Sequence, residues 1–152
     1  MSVPIAVDAN IIVRYLTGDD KTQSPAAAGI FKAAQAGRVS LIIPTATIQE
    51  TVYGLEKTYH LDAFTIAPKL LSLLALPNVT TPDARWLFEA IQSYRIKNSD
   101  FGDALLCAFA HRAGCDVATF DKGILKKFPE VTAYTPIDWL EGKAPKRAED
   151  QN

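Results

Sequence analysis

The feature that most limits what this chain can become is an alternation. Short apolar runs at Ile5–Val7, Leu41–Ile43, Val79–Thr80, Asp116–Thr119 and Val131–Tyr134 are separated by longer stretches with helical periodicity. Runs this short, bounded by turn residues, read as strands. The stretches between them space apolar residues three and four apart, as in Ile48, Val52, Leu55 and Tyr59. Strands that alternate with helices build βαβ units, whose right-handed crossovers lay the strands parallel and the helices over both faces. The expectation is an α/β fold: a three-layer α/β/α sandwich with a central, mostly parallel sheet. In such sheets ligands bind just beyond the carboxyl ends of the strands.

Local signals set the expected boundaries. Ile5–Val7 reads as a fully buried strand, and Asn10–Leu16 as a short helix. Ser24 before Pro25 reads as the N-cap of an Ala-rich helix that stops at Gly37. Thr45 or Thr47 should cap the next helix, and Asp62 the one after it. Pro82-Asp83 opens another helix, and Asp100 caps Phe101–Ala113, which Gly114 ends. Pro136–Leu140 reads as one more helical turn. The length of 152 residues suits one folded domain, drawn at 1–141, with a polar, disordered tail at 142–152.

Composition narrows the function classes. A hydrophobic fraction of 48% supports a real core. Sixteen Lys and Arg against seventeen Asp and Glu leave a net charge of −1. That argues against a coat of nucleic acid but allows a basic rim around an acidic site. No basic-then-apolar leader opens the sequence, and no apolar stretch nears the ~20 residues that span a bilayer. Cys107 and Cys115 lack C-x-x-C spacing and read as small buried hydrophobes in a reducing cytoplasm. His60 and His111 stand far apart, so zinc is not expected.

The chemistry rests on carboxylates. Asp8 follows the first strand and Asp121 follows Val117-Ala118-Thr119-Phe120, so each ends an apolar run. A helix cap explains Asp8, and a turn Asp121, nearly as simply. Asp103 lies in a helix apolar on almost every face, where an unpaired charge is costly. Glu50 shares a helical row with Ala46, Tyr53 and Gly54, and Gly54 would allow a close approach. Together these acids make a cage of oxygen ligands of the kind that Mg²⁺ and Mn²⁺ choose. Without metal they would repel one another and some would protonate. A metal held there lowers the pKa of its water and clamps a phosphodiester.

Val7-Asp8-Ala9-Asn10, Glu50, Asp100-Phe101-Gly102-Asp103-Ala104-Leu105 and Thr119-Phe120-Asp121-Lys122 resemble the ordered motifs of the PIN domain family. The resemblance spans about residues 3–140, and its style is that of the VapC toxins of prokaryotic toxin–antitoxin systems. It implies a Mg²⁺- or Mn²⁺-dependent endoribonuclease, a homodimer, and inhibition by a cognate antitoxin. Position by position, Asp8, Glu50, Asp103 and Asp121 match the acidic quartet that is both catalytic and metal-binding. Asp8 and Asp103 are the expected direct ligands, and Glu50 and Asp121 complete the set. Asp100 matches an acid often found just before the third. Asn10 and Thr119 match residues that orient the acids or a water. Arg14 and Lys122 are the first choices for RNA phosphate contacts. Two rivals remain open: a PIN-like module that binds RNA or protein without cutting, and a phosphoaspartyl phosphatase with Asp8 as nucleophile. The second wants an Asp where this chain has Asn10.

Overall fold

The computed structural model describes residues 3–145. The chain forms two compact units, Met1–Ala84 and Arg85–Asn152.

The first unit runs β1 (Ile5–Ala6), α1 (Ala9–Thr17), α2 (Gln23–Gln35), β2 (Leu41–Ile42), α3 (Thr45–Lys57), α4 (Ala63–Leu74) and β3 (Val79–Thr80). Its strands pair in the order β1-β2-β3, both pairs parallel, with Ile5 opposite Leu41 and Leu41 opposite Val79. Backbone bonds continue one residue past the strands: Val7 N donates to Ile42 O at 3.0 Å, and Ile43 N to Thr80 O at 2.8 Å. Leu41 and Ile43 on the central strand are fully buried, with Ile12, Phe31, Ile48, Leu55, Ile66 and Leu70 from the helices. Strand β1 departs from expectation. It stands at the end of the three-strand order, and Ile5 is 38% exposed; of the run only Val7 is buried.

Two caps also differ from the sequence reading. Ser24 lies inside α2, and Asp20 does the capping: its Oδ1 accepts the N–H groups of Thr22 at 2.9 Å and Gln23 at 2.6 Å. The Ser24 hydroxyl returns the favour by accepting the N–H of Asp20 at 3.2 Å. A carboxylate one turn upstream therefore takes the orphan donors that the serine would have taken. Helix α3 starts at Thr45 behind Pro44, and neither threonine caps it; Thr45 Oγ1 donates instead to Asp83 Oδ2 at 2.9 Å. Asp62 caps α4 as its sequence predicts, accepting from Thr65 N at 2.9 Å.

The second unit carries α5 (Ala84–Lys97), α6 (Phe101–Ala113), β4 (Val117–Ala118), α7 (Lys122–Lys127), β5 (Ala133–Tyr134) and α8 (Pro136–Leu140). Strands β4 and β5 pair in parallel, Val117 opposite Ala133. Helix α7 has no counterpart in the sequence reading, which offers only a turn at Asp121. It is six residues long with Ile124 alone buried, too short for periodicity to show. Helix α6 is not buried on every face: Leu106 and Phe109 are 44% and 49% exposed, because small Ala104, Cys107, Ala108 and Ala110 form the inward side. Gly114 ends it in the left-handed region that favours glycine, and Cys115 N reaches Ala110 O at 2.8 Å.

Gly142 closes α8 in the same way, with Lys143 N donating to Asp138 O at 2.7 Å. Of the polar tail assigned to 142–152, residues 146–152 lie outside the described residues. Among the described residues no helix is long and apolar enough to cross a membrane.

Candidate active site

In the first unit, Asp8 and Glu50 line one open cleft of about 490 Å³, with Asn10, Arg14, Gly54, Thr58 and Tyr59 among its walls. Asp8 occupies the N-cap position of α1 in extended backbone, yet its carboxylate makes no capping bond. The capping alternative is thus not realised, and the carboxylate is left to the cleft. Glu50 sits on α3, one turn before Gly54, and is exposed. Neither carboxylate has an ion pair or side-chain hydrogen bond among the described residues. The absence of a Cβ at Gly54 is not forced, since one built there would meet Val13 Cγ2 at an ordinary 3.8 Å.

Arg14 lines the same cleft but is held by other partners. Its Nη1 lies 3.2 Å from Asp19 Oδ1 and donates to the Tyr59 hydroxyl at 3.4 Å; its Nε donates to Gln23 Oε1 at 2.9 Å. The Tyr59 hydroxyl in turn donates to Asp19 Oδ2 at 2.7 Å. That bond, then one from Thr17, holds the Asp19 carboxyl below the ordinary carboxylate range. Asn10 Nδ2 touches the edge of this network, 3.5 Å from Gln23 Oε1. Sequence reasoning missed Asp19, Gln23 and Tyr59. Two acids after a helix-ending glycine hinted at the first, but nothing local ties Tyr59 to a loop forty residues earlier.

In the second unit the acids divide by role. Asp100 caps α6, with Oδ1 accepting the N–H of Asp103 at 3.0 Å. Asp121 caps α7, with Oδ1 accepting from Gly123 N at 2.6 Å, and its own N–H donates to Thr119 Oγ1 at 2.9 Å. The turn reading of Asp121 is therefore realised through one oxygen. Thr119 Oγ1 thus holds the turn on which Asp121 sits. Asp103 is only half-buried, so the full cost of a buried charge does not apply to it. Partial burial still raises its carboxyl above the ordinary value, and the charges of Asp100 and Asp121 raise it further against a small opposing effect of Lys127. Lys122 opens α7 and is exposed.

Among the described residues, no three His, Cys, Asp or Glu side chains are gathered as a metal-binding group. Carboxylate oxygens are the ligands that hard divalent cations choose. In the first unit neither Asp8 nor Glu50 pairs with a cation among the described residues, and in the second Asp100 and Asp121 act on Asp103 against Lys127.

Parallel strands joined by helices, with unpaired acids beyond a strand end, define an α/β domain whose acids lie where such sheets bind ligands. The PIN domain family model matches residues 5–131, and the chain belongs to that family. Its fold is accordingly the PIN-like α/β/α class that the strand–helix alternation predicts. PIN domains are generally nucleases. No curated protein matches the chain. Among solved structures, the chain is similar to one in the crystal structure of VapBC2 from Rickettsia felis bound to a DNA fragment from their promoter. The identity is 15% over 88% of this chain and 98% of that one, with a TM-score of 0.33.

Proposed function

We propose that this chain is a divalent-metal-dependent endoribonuclease and the toxin of a type II toxin–antitoxin pair, acting in the cytoplasm. Membership of the PIN family carries the reading. The acidic surroundings of Asp103, whose carboxyl is pushed up by partial burial and then by Asp100 and Asp121, support the metal, since a bound cation would relieve that repulsion. The order of motifs, in the style of VapC toxins, supports the antitoxin partner and the homodimer.

Asp8, Glu50, Asp103 and Asp121 are the carboxylates that hold the ion, Mg²⁺ or Mn²⁺. When bound, that ion neutralises the crowded acids and supplies Lewis-acid polarisation of a phosphodiester and its attacking water. The protein's own residues do the rest. Thr119 steadies the turn at Asp121 through the Asp121 amide. Asp121 spends one oxygen on Gly123 and keeps the other for the ion. Asp100 fixes the first turn of α6, on which Asp103 sits. Asn10, one helical position beyond Ala9, orients the Asp8 side of the site. Arg14 and Lys122 take RNA phosphates.

The test is Asp8→Asn. The variant should keep the parent's circular dichroism and lose Mn²⁺-dependent cleavage of RNA. A folded variant that cuts as well as the parent sinks the assignment. Expression of the parent should arrest growth, and Asp8→Asn should relieve the arrest. A parent that grips RNA in EDTA and never cuts when Mn²⁺ is added is a binding module instead.

A further inference from the structure

The network around Arg14 on α1 ties the start of α2, the loop after α1 and the turn after α3 to one guanidinium, and its parts balance donor by donor. Arg14 stands one turn after Asn10 on α1. Gly18 turns the chain behind it, with its N–H on Arg14 O at 3.0 Å, and this brings Asp19 back beside the arginine. Nη1 spends one N–H on Asp19 Oδ1 and the other on the Tyr59 oxygen, and Tyr59 donates its own O–H to Asp19 Oδ2. The Nε–H goes to Gln23. A guanidinium has five N–H groups. The two on Nη2 take no protein partner among the described residues. Arg14 also shares a cleft with Asp8 and Glu50, yet pairs with neither of them.

We infer that Asp19 and Tyr59 are positioning residues that hold Arg14 rigid in the cleft wall, so that its free Nη2 edge binds a phosphate oxygen of single-stranded RNA beside the acids. A loose arginine facing two unpaired carboxylates would fold onto them and cancel the charge a cation needs. The Asp19 carboxylate and the Tyr59 hydroxyl hold it off and leave the two N–H groups of Nη2 for a phosphate oxygen. The inference rests on the ribonuclease reading in taking RNA as the ligand.

The sign of one effect separates this from a purely electrostatic role. Removing the charge of Asp19 should tighten RNA binding if only net charge matters. If Asp19 positions Arg14, the same change should weaken it. The experiment is fluorescence anisotropy of a labelled single-stranded RNA in EDTA, where no cutting occurs. It is titrated with parent, Arg14→Gln, Arg14→Lys, Asp19→Asn and Tyr59→Phe at several salt concentrations. Arg14→Gln should weaken binding about tenfold, the worth of a charged hydrogen bond. It should also flatten the salt slope by about 0.7, the share of one phosphate on a single strand. Arg14→Lys should fail to restore the affinity, and Asp19→Asn and Tyr59→Phe should each weaken it several-fold. Circular dichroism confirms folding, and Tyr59→Phe removes only a hydroxyl. Tighter binding by Asp19→Asn, or parent-like binding by Arg14→Gln, overturns the inference, as does a parent that does not bind. If Arg14→Gln binds and cuts like the parent, the nuclease reading survives and this one falls. If binding depends on Arg14 but cutting never occurs, the reverse holds.

Discussion

The backbone N–H of Asp103 donates to the carboxylate of Asp100 at 3.0 Å, so two acids three residues apart do different work. Asp100 is occupied by the helix it starts. Asp103 gains nothing from that bond through its own side chain, and partial burial, then the nearby negative charge, disfavours its ionised form.

Removing the cap and removing the charge should therefore have opposite effects on metal-free protein. Asp100→Ala should cost about 1 kcal/mol of stability, the usual worth of an N-cap. Asp103→Asn should not destabilise and should still lose cleavage. Urea unfolding in EDTA measures both; a larger loss for Asp103→Asn than for Asp100→Ala refutes the division of roles.

The same residue sets a pH dependence. The Asp103 carboxyl titrates above its ordinary 3.8 in the folded protein, so the folded chain holds that proton more tightly than the unfolded chain does. Its contribution is present in full at low pH and is lost as pH rises from about 3.8 through the raised folded value. In EDTA the stability of Asp103→Asn relative to the parent should therefore grow across that window and stay flat above it. A difference that shrinks with rising pH contradicts the shift.

Gly123→Ala reaches the site without touching an acid. A Cβ at Gly123 would lie 2.9 Å from Asp121 Oδ1, closer than side chains tolerate, so the carboxylate must swing away. A flexible side-chain end moves rather than backbone, and the swing gives up the bond by which Asp121 caps α7, so stability should fall by about 1 kcal/mol. Mn²⁺-dependent cleavage should fall at least several-fold. Unchanged cleavage in the folded variant shows that the position of Asp121 does not matter.

Gly54→Ala should do the opposite. The site is helical, and the nearest atom to a new Cβ is at 3.8 Å. Alanine should stabilise by about 0.5–1 kcal/mol through helix propensity. A melting point below the parent's would show that Gly54 serves a close approach after all.

The two thiols should react unequally. Burial, and then the charges of Glu130 and Asp103, push Cys107 up to about 11, whereas Cys115 is exposed. At pH 8 the Cys107 thiolate is on the order of one molecule in a thousand. Native protein treated with iodoacetamide should take one adduct, at Cys115 by peptide mass. Rapid addition of a second contradicts the packing of α6.

Much of this was legible one residue at a time. Asp62 and Asp100 cap the helices their positions predict, because a cap depends on the backbone within three residues of itself. The parallel strands followed from their alternation with helices. Where two local options competed, reading failed: Asp20 displaced Ser24 as the cap of α2, and Pro44 left α3 without a side-chain cap. Helix α7 and the exposed face of α6 were missed for a different reason. Both depend on which residues other elements cover, and a run of small and apolar residues looks alike whether one side or all of it is covered.

For the site, the sequence alone determined the kinds of side chain and their order: Asp8, Glu50, Asp103 and Asp121, each with the residue types that accompany it in one family. Chemical identity and spacing along the chain are local properties, and they were enough for that. Only the tertiary structure decided which acids are spent and which are free. It left the Asp8 carboxylate without a capping bond and tied Arg14 to Asp19 and Tyr59. Those outcomes turn on hydrogen bonds between atoms a few ångströms apart in space. One of them joins residues forty apart along the chain, a distance over which sequence pattern carries no signal.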